Sequence, residues 1–108
     1  MPKSAFLGEW EQLVLLAILR ENGTAKIPGL RTHLSSIVGR QVARGALYVT
    51  LDRLEDKGYI RWELDDATPG RGGHPSRRFT VTRTGRTALD ASRKALQALW
   101  RDVDEVSR

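Results

Sequence analysis

Around Gly58 the spacing of apolar residues switches from three and four to two, and this switch constrains the chain more than any other feature. Upstream, Leu47, Leu51 and Leu54 recur at four and three residues, the period of one helix face. Downstream, Ile60, Trp62 and Leu64 alternate with charged residues, which is the period of a half-buried strand. Residues 65–76 then hold three Gly and two Pro and read as a loop. Phe79 and Val81 fall on one face of a second strand over residues 77–82. Helices must therefore lead into a single β-hairpin with a long tip.

The rest of the order follows from the same spacing. Residues 7–21 carry Leu7, Trp10, Leu13, Val14, Ala17 and Ile18 at helical intervals, with Leu15, Leu16 and Leu19 widening the stripe to nearly the full circumference. Such a helix needs cover on most sides, and a second chain is an expected source of some of it. Asn22-Gly23 ends it. Residues 28–38 form a second helix, with Pro28 in its first turn and Leu30, Leu34 and Ile37 as its stripe, closed by Gly39. A short turn leads to a third helix over residues 43–57, capped by Gly58. The last helix starts from Thr82 or Thr84 and runs to about Val106. The order helix, helix, helix, strand, loop, strand, helix predicts an α+β, mostly α chain. It is a winged helix-turn-helix over residues 1–82 followed by a C-terminal dimerisation helix over 83–108.

Charge gives this order a purpose. The net charge is +5. Nine of the 18 Lys and Arg residues lie in two windows free of acids, between Glu21 and Asp52 and between Asp66 and Asp90. The first window covers the second helix, the turn and the start of the third. The second covers the hairpin tip and the start of the last helix. In a winged helix these surfaces face DNA. The expected base-edge and backbone contacts from the recognition helix are Gln41, Arg44, Ala46 and Tyr48, with Thr50 and Arg53 further along. Tyr48 either reaches a phosphate or packs its ring on the second helix. In the wing, Arg71 and His74 are placed for the minor groove or the backbone, and Arg77 and Arg78 for phosphates. Strand parity turns Arg78 outward and leaves Arg77 partly covered.

The last helix has the most regular repeat. Leu89, Ser92, Leu96, Leu99, Val103 and Val106 alternate by three and four, a heptad seam, with Trp100 beside it. A helix of this length extends ~33 Å, further than so small a domain can cover. The seam pairs with a second copy or docks on the first helix of its own chain. Pairing between chains, with Leu7, Trp10 and Val14 contributing from the first helix, is the expected arrangement.

The run Gly45-Ala46-Leu47-Tyr48-Val49-Thr50-Leu51-Asp52-Arg53-Leu54-Glu55-Asp56-Lys57-Gly58-Tyr59-Ile60 resembles the signature of PadR-type transcriptional regulators. So do residues 7–19, the wing segment from Gly72-Gly73 through Arg78-Phe79-Thr80-Val81-Thr82, and residues 85–89. The resemblance implies a dimeric repressor that binds inverted-repeat operators through the first and last helices' dimer, released in some members by a small, often aromatic, effector. It places Tyr48 and Thr50 at positions associated with DNA contact. It makes Trp100, and Trp10 with equal reserve, either the wall of an effector pocket or plain interface packing. Lys26-Ile27 stands where the family often has Tyr-Gly, and the single C-terminal helix matches the family's short members.

Other classes are disfavoured. Only His33 and His74 are present, far apart in sequence, and Cys is absent, so neither a metal site nor thiol chemistry is expected. Residues 70–73 lack the Gly-Lys-Ser/Thr of a phosphate loop. No cofactor and no enzyme activity are expected. A winged helix that binds only protein would show an acidic or apolar third-helix face, and Asp52, Glu55 and Asp56 keep that alternative in view. The longest apolar run, residues 13–19, is too short to span a bilayer, and the N-terminus lacks a signal-peptide pattern, which predicts a cytoplasmic protein.

Overall fold

Helix α1 (Glu9–Arg20) is the hub of the fold, packing against every other helix and the second strand. The computed structural model describes residues 7–65 and 76–103. Val14, Leu15 and Ile18 of α1 are fully buried, because α2 (Ile27–Val38), α3 (Arg44–Asp56) and the hairpin β1 (Ile60–Leu64) and β2 (Arg77–Val81) surround it. α4 (Arg83–Trp100) closes the order. Leu30 and Leu34 of α2, Leu47, Leu51 and Leu54 of α3, Ile60 and Phe79 complete one core. Each such fully buried side chain contributes on the order of 2 kcal/mol. Among the described residues the architecture is the expected one, four helices with a two-stranded antiparallel wing.

Turn chemistry explains the boundaries. α2 begins with Pro28 in its first turn and stops at Gly39, which adopts the left-handed conformation at φ +75°. α3 stops before Gly58 at φ +78°, where the amides of Gly58 and Tyr59 close on the carbonyls of Glu55 and Leu54. The strands pair Ile60 with Val81, Trp62 with Phe79 and Leu64 with Arg77. Phe79 also donates its amide to Ala25 O at 2.8 Å, which fastens the wing to the segment before α2. Thr82 caps α4 by accepting the Gly85 amide at 3.1 Å and donates its hydroxyl to Gly58 O at 2.7 Å.

Several expectations need correction. Ile37 sits at helical spacing yet is 64% exposed, at the rim of an open groove between α2 and α1. Leu64, expected on the inner wing face, is exposed beyond the last buried pair. α4 ends at Trp100, with a break at Arg101 and Asp102 where one continuous helix to about Val106 is expected. The backbone is extended at Arg101 (ψ 128°) and left-handed at Asp102 (φ +64°). Its 18 residues make it ~27 Å long. Val106 lies outside the described residues.

The expected dimer seam splits into two. Leu7, Val14 and Leu89 are buried in the chain's own core, with no more than 7% of their surface exposed. Ser92 is buried too, and its hydroxyl accepts the Leu7 amide at 3.1 Å, tying α4 to the start of α1. Further along, Leu96, Leu99 and Trp100 are exposed, at 47%, 76% and 64%. The protomer covers α1 almost completely, leaving Leu16 as its one large exposed apolar residue among those described.

Candidate nucleic-acid interface

The start of α3 is held by the turn before it. Arg31 donates from Nε to Val42 O at 3.1 Å, and Ser35 Oγ accepts the Val42 amide at 2.9 Å. Val42 itself is buried, so it anchors the turn in the core while Gln41, Arg44 and Ala46 stand exposed on either side. Arg44 lies over the Tyr48 ring, 5.5 Å from its centroid, and its Nη2 donates weakly to the Tyr48 hydroxyl at 3.4 Å. Tyr48 is half-buried: its ring rests on the core and its hydroxyl meets Arg44.

The wing supplies the opposite wall. Lys26 and Pro28 at the start of α2, Arg44 and Tyr48 of α3, and Leu64, Ser76 and Arg77 of the wing line a groove of about 390 Å³. Arg77 is not covered as strand parity suggests. It is exposed and stacks on Trp62 at 4.4 Å, while the Trp62 indole N–H donates to Glu55 Oε2 at 3.0 Å. This stacking holds the guanidinium in a fixed place beside the groove.

Arg78 behaves differently from its expected role as a free phosphate contact. Its Nε donates to Asp65 Oδ1 at 2.9 Å, its Nη2 lies 3.7 Å from Glu63, and its Nη1 reaches Gly23 O at 3.4 Å. Asp65 also accepts from Lys26 Nζ at 2.8 Å. The hydrogen bonds from Lys26 and then Arg78 hold the Asp65 carboxyl below the ordinary aspartate range, and Asp65 in turn raises the Arg78 pKa. An acid thus stands at the edge of the face that composition marks as acid-free.

The remaining expected contacts divide. Thr50 is only 3% exposed, and its hydroxyl donates to Ala46 O at 3.1 Å inside α3, so it is not available to a duplex. Arg53 is exposed, near the end of α3 away from the groove, where its charge acts on Glu11. Arg71 and His74 lie outside the described residues. Arg86 faces another groove and pairs with Asp90 at 3.8 Å. The positioning roles of Ser35, Arg31 and Asp65 escaped sequence reasoning, since each acts on a partner brought close only by the fold.

Behind α3, Glu11 joins the hub helix to the recognition helix. It is buried, its Oε1 accepts the Gly8 amide at 3.0 Å, and its Oε2 receives Lys57 Nζ at 2.7 Å. Burial pushes its carboxyl up, but the Lys57 and Gly8 hydrogen bonds and the charges of Lys57 and Arg53 outweigh burial and leave it below the usual glutamate range.

A second groove, of about 550 Å³, runs between α1 and α4. Leu16, Leu19, Leu89, Leu96 and Trp100 form its apolar lining, with Gln12, Arg86, Asp90, Arg93 and Gln97 at its margins. Trp100 is brought into this groove and Trp10 is not, being packed against the core. Among the described residues no cluster of His, Asp or Glu is arranged to hold a metal ion, and no helix is long and apolar enough to cross a membrane.

Comparison with known proteins agrees with this architecture. The fold is similar to that of a PadR-like transcriptional regulator from Bacillus cereus, at 20% identity over 92% of this chain and 91% of that chain, with a TM-score of 0.73. It is similar to a Streptococcus transcriptional regulator, at 19% identity over 92% of each chain and a TM-score of 0.72. A PadR family transcriptional regulator from Eggerthella lenta matches at 23% identity over 90% of this chain and 82% of that chain, with a TM-score of 0.70. Comparison with curated proteins gives no match. The profile of the transcriptional regulator PadR-like family matches residues 15–91, from the hub helix through the wing and into α4. The chain therefore belongs to the PadR-like family of transcriptional regulators and is not an enzyme.

Proposed function

We propose that the chain is a cytoplasmic, sequence-specific repressor that binds an inverted-repeat operator as a homodimer. The observation that carries this reading is the groove between α3 and the wing, where Arg44 and Arg77 are both exposed and both steadied by an aromatic ring. A recognition helix reads base edges with residues near its N-terminus. Arg44 and Ala46 occupy that end of α3 and Gln41 the turn just before it, with the Tyr48 hydroxyl next to Arg44 as a backbone contact. Arg77 supplies phosphate neutralisation from the wing, and Arg53 an outlying charge.

The dimer rests on the exposed second half of α4. Leu96, Leu99 and Trp100, continued by Leu16 of α1, form the apolar surface that a second copy would cover, with Val103 following. This leaves residues 1–82 to DNA and residues from 83 onward to pairing. The α1/α4 groove, with its apolar lining and Trp100, suits a small aromatic effector that would enter at the same interface. Sedimentation equilibrium together with fluorescence-anisotropy titration of a duplex selected from a random library tests the proposal. Two chains per duplex and a steep loss of affinity with salt are expected. A monomer bound to DNA with no sequence preference would refute it.

A further inference from the structure

Asp65 stands at the edge of the basic groove, paired with Lys26 of its lining. Its amide donates to Ser76 O at 2.8 Å, closing the stem of the wing. Its side chain takes Lys26 Nζ on one oxygen at 2.8 Å and Arg78 Nε on the other at 2.9 Å. Lys26 is the N-cap residue of α2 and Arg78 belongs to β2, so one side chain bridges the helix-turn-helix and both sides of the hairpin. Two of the cations in the acid-free windows or beside the groove are thereby engaged inside the protomer, while Arg44 and Arg77 lie against the neutral rings of Tyr48 and Trp62.

We infer that Asp65 is a specificity-determining residue: it withholds Lys26 and Arg78 from the phosphate backbone, lowering affinity for DNA of any sequence so that the contacts from α3 decide where the protein binds. The inference rests on the reading of this groove as the DNA-binding surface. Affinity from phosphate contacts is blind to sequence and grows with each cation engaged. A regulator that must find one site among many non-specific ones gains discrimination when surplus cations are neutralised. The pairs are only partly buried, with side-chain exposures of 42% for Lys26, 27% for Asp65 and 32% for Arg78, so removing the carboxylate frees Lys26 to turn outward and leaves Arg78 with the longer contacts to Glu63 at 3.7 Å and Gly23 O at 3.4 Å.

The test is an anisotropy titration of a 25-bp duplex of arbitrary sequence against wild type and Asp65→Asn, from 50 to 200 mM salt. The slope of log K against log salt changes by about −0.9 per phosphate neutralised. The variant should steepen that slope by about 1 to 2 per protomer, bind the arbitrary duplex several-fold more tightly at low salt, and lose preference for a selected operator. An unchanged slope and affinity, with wild type binding normally, overturns the inference alone. Absence of salt-dependent binding by wild type overturns the DNA reading and the inference with it. Should Asp65→Asn fail to fold by circular dichroism, the wild-type background still decides. There Lys26→Gln should reduce the slope by less than half of what Arg77→Gln does, and equal reductions would show that Lys26 is not withheld.

Discussion

Gly85 and Gly45 sit in the first turns of α4 and α3, and the same substitution at each should act with opposite sign. A Cβ added at Gly85 would stand 2.2 Å from Tyr59 O and 3.0 Å from both Tyr59 C and Val81 Cγ1. The carbonyl cannot retreat easily. It accepts the Thr82 amide at 3.0 Å, and the Tyr59 amide is bonded to Leu54 O at 2.9 Å. Overpacking against fixed backbone costs about 1–3 kcal/mol, and the better helix propensity of Ala returns less than about 1 kcal/mol at the end of a helix. Gly85→Ala should therefore lose about 2 kcal/mol net, and the melting midpoint should fall by roughly 10 °C for a domain of this size. A Cβ at Gly45 meets nothing within 4 Å, so Gly45→Ala should hold or slightly raise the midpoint. Thermal melts followed by circular dichroism at one fixed protein concentration report both. If Gly85→Ala proved as stable as Gly45→Ala, the close seating of α4 on the α3–β1 turn would be wrong.

Three further outcomes follow from the same geometry. Lys57→Met leaves the Glu11 carboxylate buried without its counter-charge, at a cost of about 2 kcal/mol, between the values for exposed and fully buried pairs; urea unfolding at pH 7 measures it. Because the folded pKa of Glu11 is depressed, its contribution is present above the ordinary glutamate range and is lost as pH falls through the depressed value. Unfolding curves below about pH 4.3 should thus show wild type losing stability more steeply than Lys57→Met. Leu99→Glu should shift sedimentation equilibrium toward monomer without lowering helix content, since Leu99 is 76% exposed and contributes nothing to the protomer core; an unchanged dimer would place the interface elsewhere. Arg44→Ala should weaken operator binding and flatten the preference over arbitrary DNA, whereas Arg78→Ala should cost less on every sequence while Asp65 is present; anisotropy with both duplexes separates the two.

The element order was legible because hydrophobic period is a local property. Leu47, Leu51 and Leu54 declared α3, and the alternation of Ile60 and Trp62 declared the wing. What covers a periodic stripe is not local. The heptad seam of α4 runs unbroken in sequence, yet Leu89 and Ser92 dock on their own chain while Leu96 and Leu99 do not. Ile37 keeps helical spacing and still faces outward. Thr50 is a different lesson. It lies three residues after Leu47 and four before Leu54, so helical spacing puts it on the buried face, against its reading as a contact further along the recognition helix. Strand parity turns Arg78 outward and Arg77 inward, yet Arg78 is half-buried and Arg77 exposed, because the capture of Arg78 by Asp65 spans the whole hairpin loop and leaves no mark in local sequence.

The central claim is that two copies present α3 and the wing on one side of a duplex, and in vitro selection from a random DNA library interrogates it most directly. The account predicts enrichment of an inverted repeat whose half-sites are centred about 10 bp, one helical turn, apart, with enrichment lost for Arg44→Ala. A selected motif without two-fold symmetry, or no enriched sequence at all, would contradict it.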